Sequence, residues 1–441
     1  MKTHGYMSLK ESAWAEGKMK KQQQRAAVGS SSMGFTKCSD NMAGEYPCKN
    51  VNLLSVVSLA DLGCGDLYGS DMWGWTDDEG NEYAITSCES GITFVDITNG
   101  KRPVVMGRLL ANAPGTSYWW DIKVYQNHAF IGSELNDHGL SIFDLTQLTP
   151  FITAFRQSQG YSAHMNRDIA QNGHTKLNIP FQPTARYDGF SRSHNIVINE
   201  ASGFLYVVGS NTCMGGLHIL DIQNPTSPQF VGCYDEDGYT HDAQCVIYDG
   251  PDKRFTGREI CFNYNEDTLT IVDVTDKEDM RMLARKGYKG AQYTHQGWLA
   301  EGMAYLMLDD ELDELNIAKQ HGKARTHIFD VSNLRRPKRI GSHMGKEVGI
   351  DHNQYIHRGL SFQSNYCAGL RVVTTDQLHV GKAKEVAYFD VSPGCDIADW
   401  YGAWSSYPFY TSDTVAVGSI ENGLFLLRPK SKLYRTPAIS A

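Results

Sequence analysis

The chain has 441 residues, of which 41% are hydrophobic and 21% are charged, with a formal net charge of -9 at pH 7. These values are ordinary for a globular protein. The acidic balance excludes sequence-independent binding to nucleic acid, because such binding requires a basic face. No apolar run reaches the length of a membrane-spanning helix, so we expect no membrane span.

The N-terminal segment, residues 1–37, is polar and contains the run Gln22-Gln-Gln, which predicts disorder. It has no apolar core of the kind found in signal peptides, so no signal peptide is visible. Residues 38–428 carry a repeated pattern, and residues 429–441 form a short basic tail. The apolar stretch 51–59 precedes the first repeat, while the last repeat lacks an outer strand. We therefore expect the N-terminal strand to complete the last blade and remove an exposed edge.

A short motif opens each of seven repeats, and each repeat runs through two apolar stretches to a closing strand of the Ile-x-Asp-Val type. Seven units of four short strands predict an all-β, seven-bladed β-propeller with four-stranded antiparallel blades. Single blades cannot bury their faces alone, so we expect one closed domain. The residues that open the motifs are Trp73, Trp120, His194, His241, His295, His352 and Trp404.

Aspartates end five of the closing strands, each followed by a turn sequence such as Thr-Asn or Ser-Asn. A short acidic side chain in that place accepts hydrogen bonds from the next turn, which favours a structural role. These residues are Asp96, Asp144, Asp221, Asp273 and Asp330.

Ten cysteines, an even number, indicate disulfides and an oxidising compartment, and hence a secreted or extracellular protein. Three pairs would join the end of a second strand to the connection between blades. The alternative is buried free thiols, because cysteine packs well as a small apolar residue. The predicted pairs are Cys38–Cys48, Cys64–Cys88, Cys213–Cys233, Cys245–Cys261 and Cys367–Cys395.

Several long runs resemble the LVIVD-repeat propellers and, more narrowly, the choice-of-anchor B family. They include Gly216-Leu-His-Ile-Leu-Asp-Ile, Tyr239-Thr-His-Asp-Ala, Tyr293-Thr-His-Gln-Gly-Trp-Leu and Leu308-Asp-Asp-Glu-Leu-Asp-Glu. The resemblance covers about residues 38–428 and implies a secreted or surface-displayed propeller. It brings no established reaction, so it assigns no catalytic residue.

The motif positions form a ring on one face of the disc, and the ends of the second strands add carboxylates to that face. Neutral imidazoles and carboxylates suit zinc, iron, copper or manganese. The acidic run 309–314 also suggests calcium, although it lacks the spacing of a known calcium loop. The candidate metal ligands are His194, His241, His295, His352, Asp309 and Asp310.

The alternative for these histidines is structural. Side chains of an inner strand alternate between the two flanking blades, so each imidazole could hydrogen-bond a neighbouring blade instead. The other ring positions and nearby polar residues are candidates for ligand binding. They are Trp73, Trp120, Asp121, Glu134, Asp242, Trp404 and Tyr407.

A long connection, residues 157–192, carries His164, His174 and Arg192, and loops of this length are often functional. Two functions stay open on the sequence alone. The first is an extracellular propeller that binds an unknown protein or small molecule on its loop-rich face. The second is a metal-dependent hydrolase or oxidoreductase that uses the histidine and carboxylate cluster.

Overall fold

The computed structural model describes residues 10–12, 14, 33–65, 67–158, 175–316 and 322–434. The chain is a seven-bladed β-propeller, as predicted, and each blade has four antiparallel strands. The first three strands precede the first complete blade. They are β1 (Met42–Ala43), β2 (Tyr46–Lys49) and β3 (Val51–Val57).

Blades 1 to 4 follow the order of the chain, with one displaced outer strand in blade 2. Blade 1 contains β4 (Gly69–Thr76), β5 (Glu82–Cys88), β6 (Gly91–Asp96) and β7 (Val104–Leu110). Blade 2 contains β8 (Trp120–Tyr125), β9 (His128–Ser133) and β10 (Leu140–Asp144); then come helix α1 (Thr149–Ser158), β11 (Thr175–Phe181) and β12 (Ala185–Tyr187). Blade 3 contains β13 (Asn195–Asn199), β14 (Phe204–Val208), β15 (Leu217–Asp221) and β16 (Gln229–Tyr234). Blade 4 contains β17 (Asp242–Ile247), β18 (Glu259–Tyr264), β19 (Thr268–Asp273) and β20 (Arg281–Gly287).

Blades 5 to 7 complete the ring. Blade 5 contains β21 (Thr294–Leu299), β22 (Tyr305–Asp310), the short helix α2 (Asp313–Asn316), β23 (Lys323–Asp330) and β24 (Lys338–Val348). Blade 6 contains β25 (Asn353–His357), β26 (Leu360–Ser364), β27 (Leu370–Thr374) and β28 (Lys384–Phe389). Blade 7 contains β29 (Ala403–Tyr407), β30 (Val415–Ser419) and β31 (Gly423–Pro429).

The ring is closed by β3, which pairs antiparallel with β31 and supplies the outer strand of blade 7. This confirms the expected closure by the N-terminal strand. Strands β1 and β2 extend blade 6, because β2 pairs with β28. The closing strand therefore joins the two ends of the ring and covers the outer edge of β31.

The predicted long connection between blades 2 and 3 is partly regular structure. Strand β11 pairs parallel with β7 as a fifth strand of blade 1, and β12 becomes the outer strand of blade 2. His164 and His174 lie outside the described residues, whereas Arg192 is described. No helix among the described residues is long and apolar enough to cross a membrane.

The closing-strand aspartates have the structural role predicted for them. Each accepts a hydrogen bond from the backbone N–H two residues on, as from Thr98 to Asp96 at 3.0 Å and from Ser332 to Asp330 at 2.9 Å. Asp144, Asp221 and Asp273 accept the corresponding hydrogen bond from the backbone N–H two residues on. These carboxylates hold the turn that leads to the outer strand.

The hydrophobic core lies between neighbouring blades. Phe94 of blade 1 stacks on Phe143 of blade 2 with ring centroids 4.6 Å apart, and both side chains are fully buried. The ten cysteines form the five predicted pairs, and there are no free cysteines among the described residues. Disulfides persist in oxidising surroundings, which the structure therefore indicates for this protein.

Candidate functional site

Four histidines from blades 3 to 6 meet around the axis of the propeller. Their rings form a continuous row, with centroid separations of 4.3 Å from His194 to His241, 4.1 Å from His241 to His295 and 4.5 Å from His295 to His352. Each ring is at most 7% exposed. All four line one cavity of about 20 Å³, slightly more than the roughly 10–15 Å³ that one water molecule needs.

Three of these imidazoles are fixed by the next blade. Nδ1 of His241 donates to the carbonyl oxygen of His295 at 2.9 Å, and Nδ1 of His295 donates to that of His352 at 2.8 Å. Nδ1 of His352 donates to the carbonyl oxygen of Trp404 at 2.6 Å. Because a carbonyl only accepts, Nδ1 carries the proton, and Nε2 keeps a lone pair when the ring is neutral. Each of these rings can therefore make its structural hydrogen bond through Nδ1 and still offer Nε2 as a metal ligand.

Burial keeps these rings neutral. It lowers the pKa of His241 and His295 well below the usual value, with the neighbouring imidazoles acting in the same direction. Burial also lowers the pKa of His352 to about 3, although the nearby carboxylate of Glu311 opposes this shift. At neutral pH the three Nε2 atoms are therefore lone-pair donors.

The fourth histidine has a different partner. Nδ1 of His194 lies 3.0 Å from Oε1 of Glu134, and Arg192 donates to the other oxygen of that carboxylate at 2.7 Å. Burial alone would raise the pKa of Glu134, but His194 and Arg192 lower it. Glu134 therefore orients His194, one of the four axial histidines.

Glu311 brings a carboxylate to two of the rings. One of its oxygens lies 3.7 Å from Nε2 of His295, and the other lies 3.8 Å from Nε2 of His352. Tyr366 donates to Oε1 of Glu311 at 2.8 Å. Ligand atoms of His295, Glu311 and His352 all lie within 4.8 Å of one another.

The N-terminal segment reaches the same place. Nζ of Lys10 lies 2.5 Å from Oε1 of Glu311, and Trp14 donates through Nε1 to the carbonyl oxygen of Trp400 at 2.7 Å. The Trp14 ring packs against Trp119 and Trp404. Lys10 and Trp14 are buried, contrary to the disorder predicted for residues 1–37, and most of that segment lies outside the described residues.

A second polar layer surrounds Lys123 along the axis. Its ammonium lies 2.5 Å from Asp121, and the same cavity is lined by Asp71 and Asp242. Burial opposes the charge of Lys123, yet the carboxylates around it raise its pKa. Burial and the charge of Asp121 raise the pKa of Asp242 to about 7. This layer is therefore a buried cluster of one ammonium and three carboxyl groups.

The structure brings eight of the thirteen candidate residues together in the axial cavity. These are His194, His241, His295, His352, Trp120, Asp121, Asp242 and Trp404. Glu134 contacts His194 from outside the cavity. Four further residues line the cavity that the repeat pattern does not predict, namely Lys10, Asp71, Lys123 and Tyr355. Their types and spacing carry no signal of a shared site, because they come from four separate segments.

In blade 1 the residue at the ring position lies three residues earlier in the chain than the predicted Trp73. Asp71 accepts a hydrogen bond from the backbone of Ile122 at 3.0 Å, as Asp121 does from Ile196 at 2.6 Å. Asp71 therefore occupies the position that follows the ring residue. Trp73 instead packs against Tyr355 and Tyr407. Neither Trp73 nor Tyr407 lines the cavity. An irregular pairing between Gly69 and Met72 displaces the repeat at this point.

Asp309 and Asp310 lie away from the histidines. Asp310 accepts hydrogen bonds from Tyr288 at 2.7 Å and from the backbone of Gln292 and Tyr293 at 2.8 Å, and it holds that turn. Asp309 accepts a hydrogen bond from Gln354 at 2.8 Å. Burial raises the pKa of Asp310 to about 6 and that of Asp309 to about 8. Among these neighbouring acids, Glu311 is the one that approaches His295 and His352.

Similarity to known proteins agrees with this architecture. Residues 195–236, which include all four strands of blade 3, match the LVIVD repeat. The chain is a seven-bladed propeller that contains an LVIVD repeat. The matched segment begins directly after His194. No curated protein matches the chain significantly.

Solved structures resemble this propeller in fold. The crystal structure of the RRP9 WD40 repeats has a TM-score of 0.50 at 9% identity, covering 82% of this chain and 94% of that one. The Cps50 (Swd1) β-propeller domain from Myceliophteria thermophila has a TM-score of 0.47 at 9% identity, with coverages of 81% and 96%. A functionally unknown protein from Desulfotomaculum acetoxidans DSM 771 has a TM-score of 0.44 at 11% identity, with coverages of 75% and 87%. At such low identity the likeness to RRP9 concerns the fold alone.

Proposed function

We propose that the protein is a secreted propeller that binds one divalent transition-metal ion on its axis. The ligands are Nε2 of His295, Nε2 of His352 and a carboxylate oxygen of Glu311. The observation that carries this proposal is the convergence of these three atoms within 4.8 Å. Within the described ranges, no other group of three histidine, cysteine or acidic side chains converges in this way.

The spacing suits a small ion. Zinc ligands at roughly 2.0–2.1 Å in a tetrahedron lie about 3.4 Å from one another. The shortest distances from the Glu311 carboxylate to the imidazoles are 3.7 Å from Oε2 to His295 and 3.8 Å from Oε1 to His352, and each exceeds this by a few tenths of an ångström. Small side-chain rotations therefore suffice to form the site.

The surroundings of the imidazoles also suit a metal. A ligating histidine commonly donates its other ring N–H to a carbonyl or carboxylate, which fixes the tautomer and the ring orientation. Nδ1 of His295 and of His352 makes such a bond to the next blade. Two imidazoles and one carboxylate favour zinc, and also suit iron, copper or manganese.

Secretion is supported by two observations. The five disulfides require an oxidising compartment to persist. The resemblance to the choice-of-anchor B family, which is carried by long runs in most blades, points the same way. The metal would then be acquired outside the cytoplasm.

A metal-dependent hydrolase or oxidoreductase is the second candidate. Three protein ligands leave a coordination position open, as in catalytic zinc sites. However, Trp14 packs over this end of the axis against Trp119 and Trp404, and it leaves little room for a substrate. Binding of the ion, with a partner or small molecule recognised on the same face, is therefore the preferred function.

Metal titration of the full chain tests the proposal. Protein stripped with a chelator is titrated with Zn²⁺ by calorimetry and with Co²⁺ by visible absorption, which reports coordination geometry. We expect one ion per chain. His295→Ala, His352→Ala and Glu311→Gln should each weaken binding at least about tenfold, because each removes a ligand. The matched control is His379→Ala, which removes an exposed histidine of blade 6.

Two results would reject the proposal: no binding by the stripped wild-type protein, or binding that all three variants retain at full affinity. The enzymatic alternative is tested separately with ester, phosphate and phenol substrates. Turnover that follows the metal content of the wild-type protein and is lost in His352→Ala would favour it over a purely binding role.

A further inference from the structure

We propose that blade 5 contains a Ca²⁺ site, separate from the histidines, between the carboxylates of Asp309, Asp313, Glu314 and Asp351. Asp309 is the last residue but one of β22, Asp313 and Glu314 belong to α2, and Asp351 immediately precedes the ring residue of blade 6. Their exposures are 1%, 1%, 4% and 0%. Four acidic side chains are thus removed from water together.

Several of their oxygens have no hydrogen-bond donor. Both carboxylate oxygens of Asp351, Oδ1 of Asp313 and Oε2 of Glu314 are buried and accept no hydrogen bond from an N–H or hydroxyl group. Two other oxygens of the cluster do have donors. Glu314 accepts a hydrogen bond from the backbone N–H of Arg325 at 3.0 Å, and Asp309 accepts one from Gln354 at 2.8 Å. A buried carboxylate oxygen without a partner is costly, so a group that supplies positive charge is expected here.

The side chains around Asp351 do not supply that charge. The groups that act on it are the carboxylates of Glu314, Asp309 and Asp313, and Asp309 lies within hydrogen-bonding reach. In the described part of the chain, none of the four acids forms an ion pair with lysine or arginine; Asp313 lies 3.4 Å from Nε2 of His327. When these carboxylates are ionised together they repel one another, so a divalent cation between them would be bound favourably.

Two neutral oxygens lie on the strand that pairs with β25. Oγ of Ser364 and Oδ1 of Asn365 are buried at the end of β26 without partners. Because β26 pairs with β25, the strand that follows Asp351, these atoms belong to the same end of the same sheet. Ca²⁺ takes six to eight oxygens from carboxylates and amide carbonyls, which is the chemistry available here. Transition metals prefer the imidazole nitrogens of the axial site instead.

Binding requires some movement. No three of these four carboxylates bring one oxygen each within 4.8 Å of one another, whereas Ca²⁺ ligands at roughly 2.3–2.6 Å lie within about 5 Å. Rotation of the side chains of Asp313 and Glu314 on α2 would draw them towards Asp351. The expected affinity is that of extracellular calcium modules, with Kd roughly 10⁻⁴ to 10⁻³ M.

Calorimetry and thermal unfolding of the full chain with CaCl₂ test this site. After treatment with EDTA, the wild-type protein should bind one Ca²⁺ and show a higher Tm in calcium than in EDTA. Asp351→Asn and Glu314→Gln should each weaken binding at least about tenfold and remove the rise in Tm. Glu347→Gln, which removes an exposed charge from the same blade, is the control that should keep both.

The comparison with His295→Ala separates the two sites, because that variant should lose the transition metal and keep the Ca²⁺ response. Calcium binding that persists in both Asp351→Asn and Glu314→Gln would place the ion elsewhere and reject the proposal. The proposal also fails if wild-type protein shows neither heat nor a rise in Tm with CaCl₂. In that case the acids are held protonated, and Asp351→Asn should be equally stable in calcium and in EDTA.

Discussion

Lys10 and Glu311 form a buried ion pair, with Nζ of the lysine 2.5 Å from Oε1 of the glutamate, although 301 positions separate them in the chain. Glu311 is also the carboxylate that approaches His295 and His352. The charge of Lys10 acts on both imidazoles and lowers their pKa. An ammonium therefore occupies the neighbourhood in which the proposed metal would bind, and the two cations compete for one carboxylate.

Replacing Lys10 should strengthen metal binding. Lys10→Met removes the competing cation, so the Zn²⁺ affinity should rise by roughly tenfold, or about 1.4 kcal/mol. Without metal the same variant should be less stable, because Glu311 keeps its burial but loses its partner. Calorimetry with Zn²⁺ and the Tm of stripped protein measure the two effects. The control is Glu11→Gln at an exposed neighbouring position. Unchanged affinity in Lys10→Met would mean that the lysine and the metal do not compete.

Removing the closing strand should destroy the fold. Deletion of residues 1–58 takes away β3 and exposes the edge of β31, so we expect aggregation or unfolding. Deletion of residues 1–32 keeps β3 and should leave a folded propeller with a lower Tm, because it uncovers Trp119 and Trp404. Circular dichroism and thermal unfolding compare the two. Equal Tm values for the 1–58 deletion and the full chain would contradict the closure.

His241 should behave as a structural residue. Its Nδ1 donates to the carbonyl oxygen of His295, and it is not one of the three converging ligands. His241→Ala leaves that buried carbonyl without its donor and should cost about 1–3 kcal/mol in the free energy of unfolding. Metal affinity should change far less than in His295→Ala. Urea unfolding and Zn²⁺ calorimetry check both values; normal stability with lost metal would make His241 a ligand.

Acid should destabilise the protein through the axial histidines. The pKa of His352 is about 3 in the fold against 6.5 for an ordinary histidine. Below pH 6.5 the unfolded chain binds a proton at this residue that the folded chain does not, so stability falls as the pH falls towards 3. The slope is about 1.4 kcal/mol per pH unit for each such histidine. Urea unfolding between pH 7 and 4 should show a shallower slope in His352→Gln, and an identical slope would refute the assignment.

The five cysteine pairs can be mapped directly. Digestion of alkylated, unreduced protein should yield the linked peptides 38–48, 64–88, 213–233, 245–261 and 367–395. Replacing Cys245 and Cys261 by alanine should lower stability by up to about 2–5 kcal/mol, because the bridge restricts the unfolded chain. Free thiols in most of the unreduced chains would overturn both the pairing and the oxidising compartment.

The sequence by itself determined the features that depend on local pattern. Seven repeats of short alternating strands define the blades, and the strand at 51–57 supplies the outer strand that the last repeat lacks. Asp96 and Asp330 serve the turns that follow them, because their bonds reach only two residues along the chain. The cysteine pairs also follow from the recurring geometry of a blade. The four histidines stood out because they fall at one position of the repeat.

Only the tertiary structure decided what those histidines face. Closure of the ring sets which nitrogen meets the next blade and which meets the axis, and no local spacing specifies this. It also places Glu311, rather than Asp309 or Asp310, against His295. Lys10 and Trp14 reach the axis from a segment that reads as polar and irregular, because contacts across hundreds of positions leave no periodic trace. In blade 1 the irregular pairing between Gly69 and Met72 changes the register of the strand but not the motif. The ring position therefore falls on Ser70, the residue before Asp71, and not on Trp73.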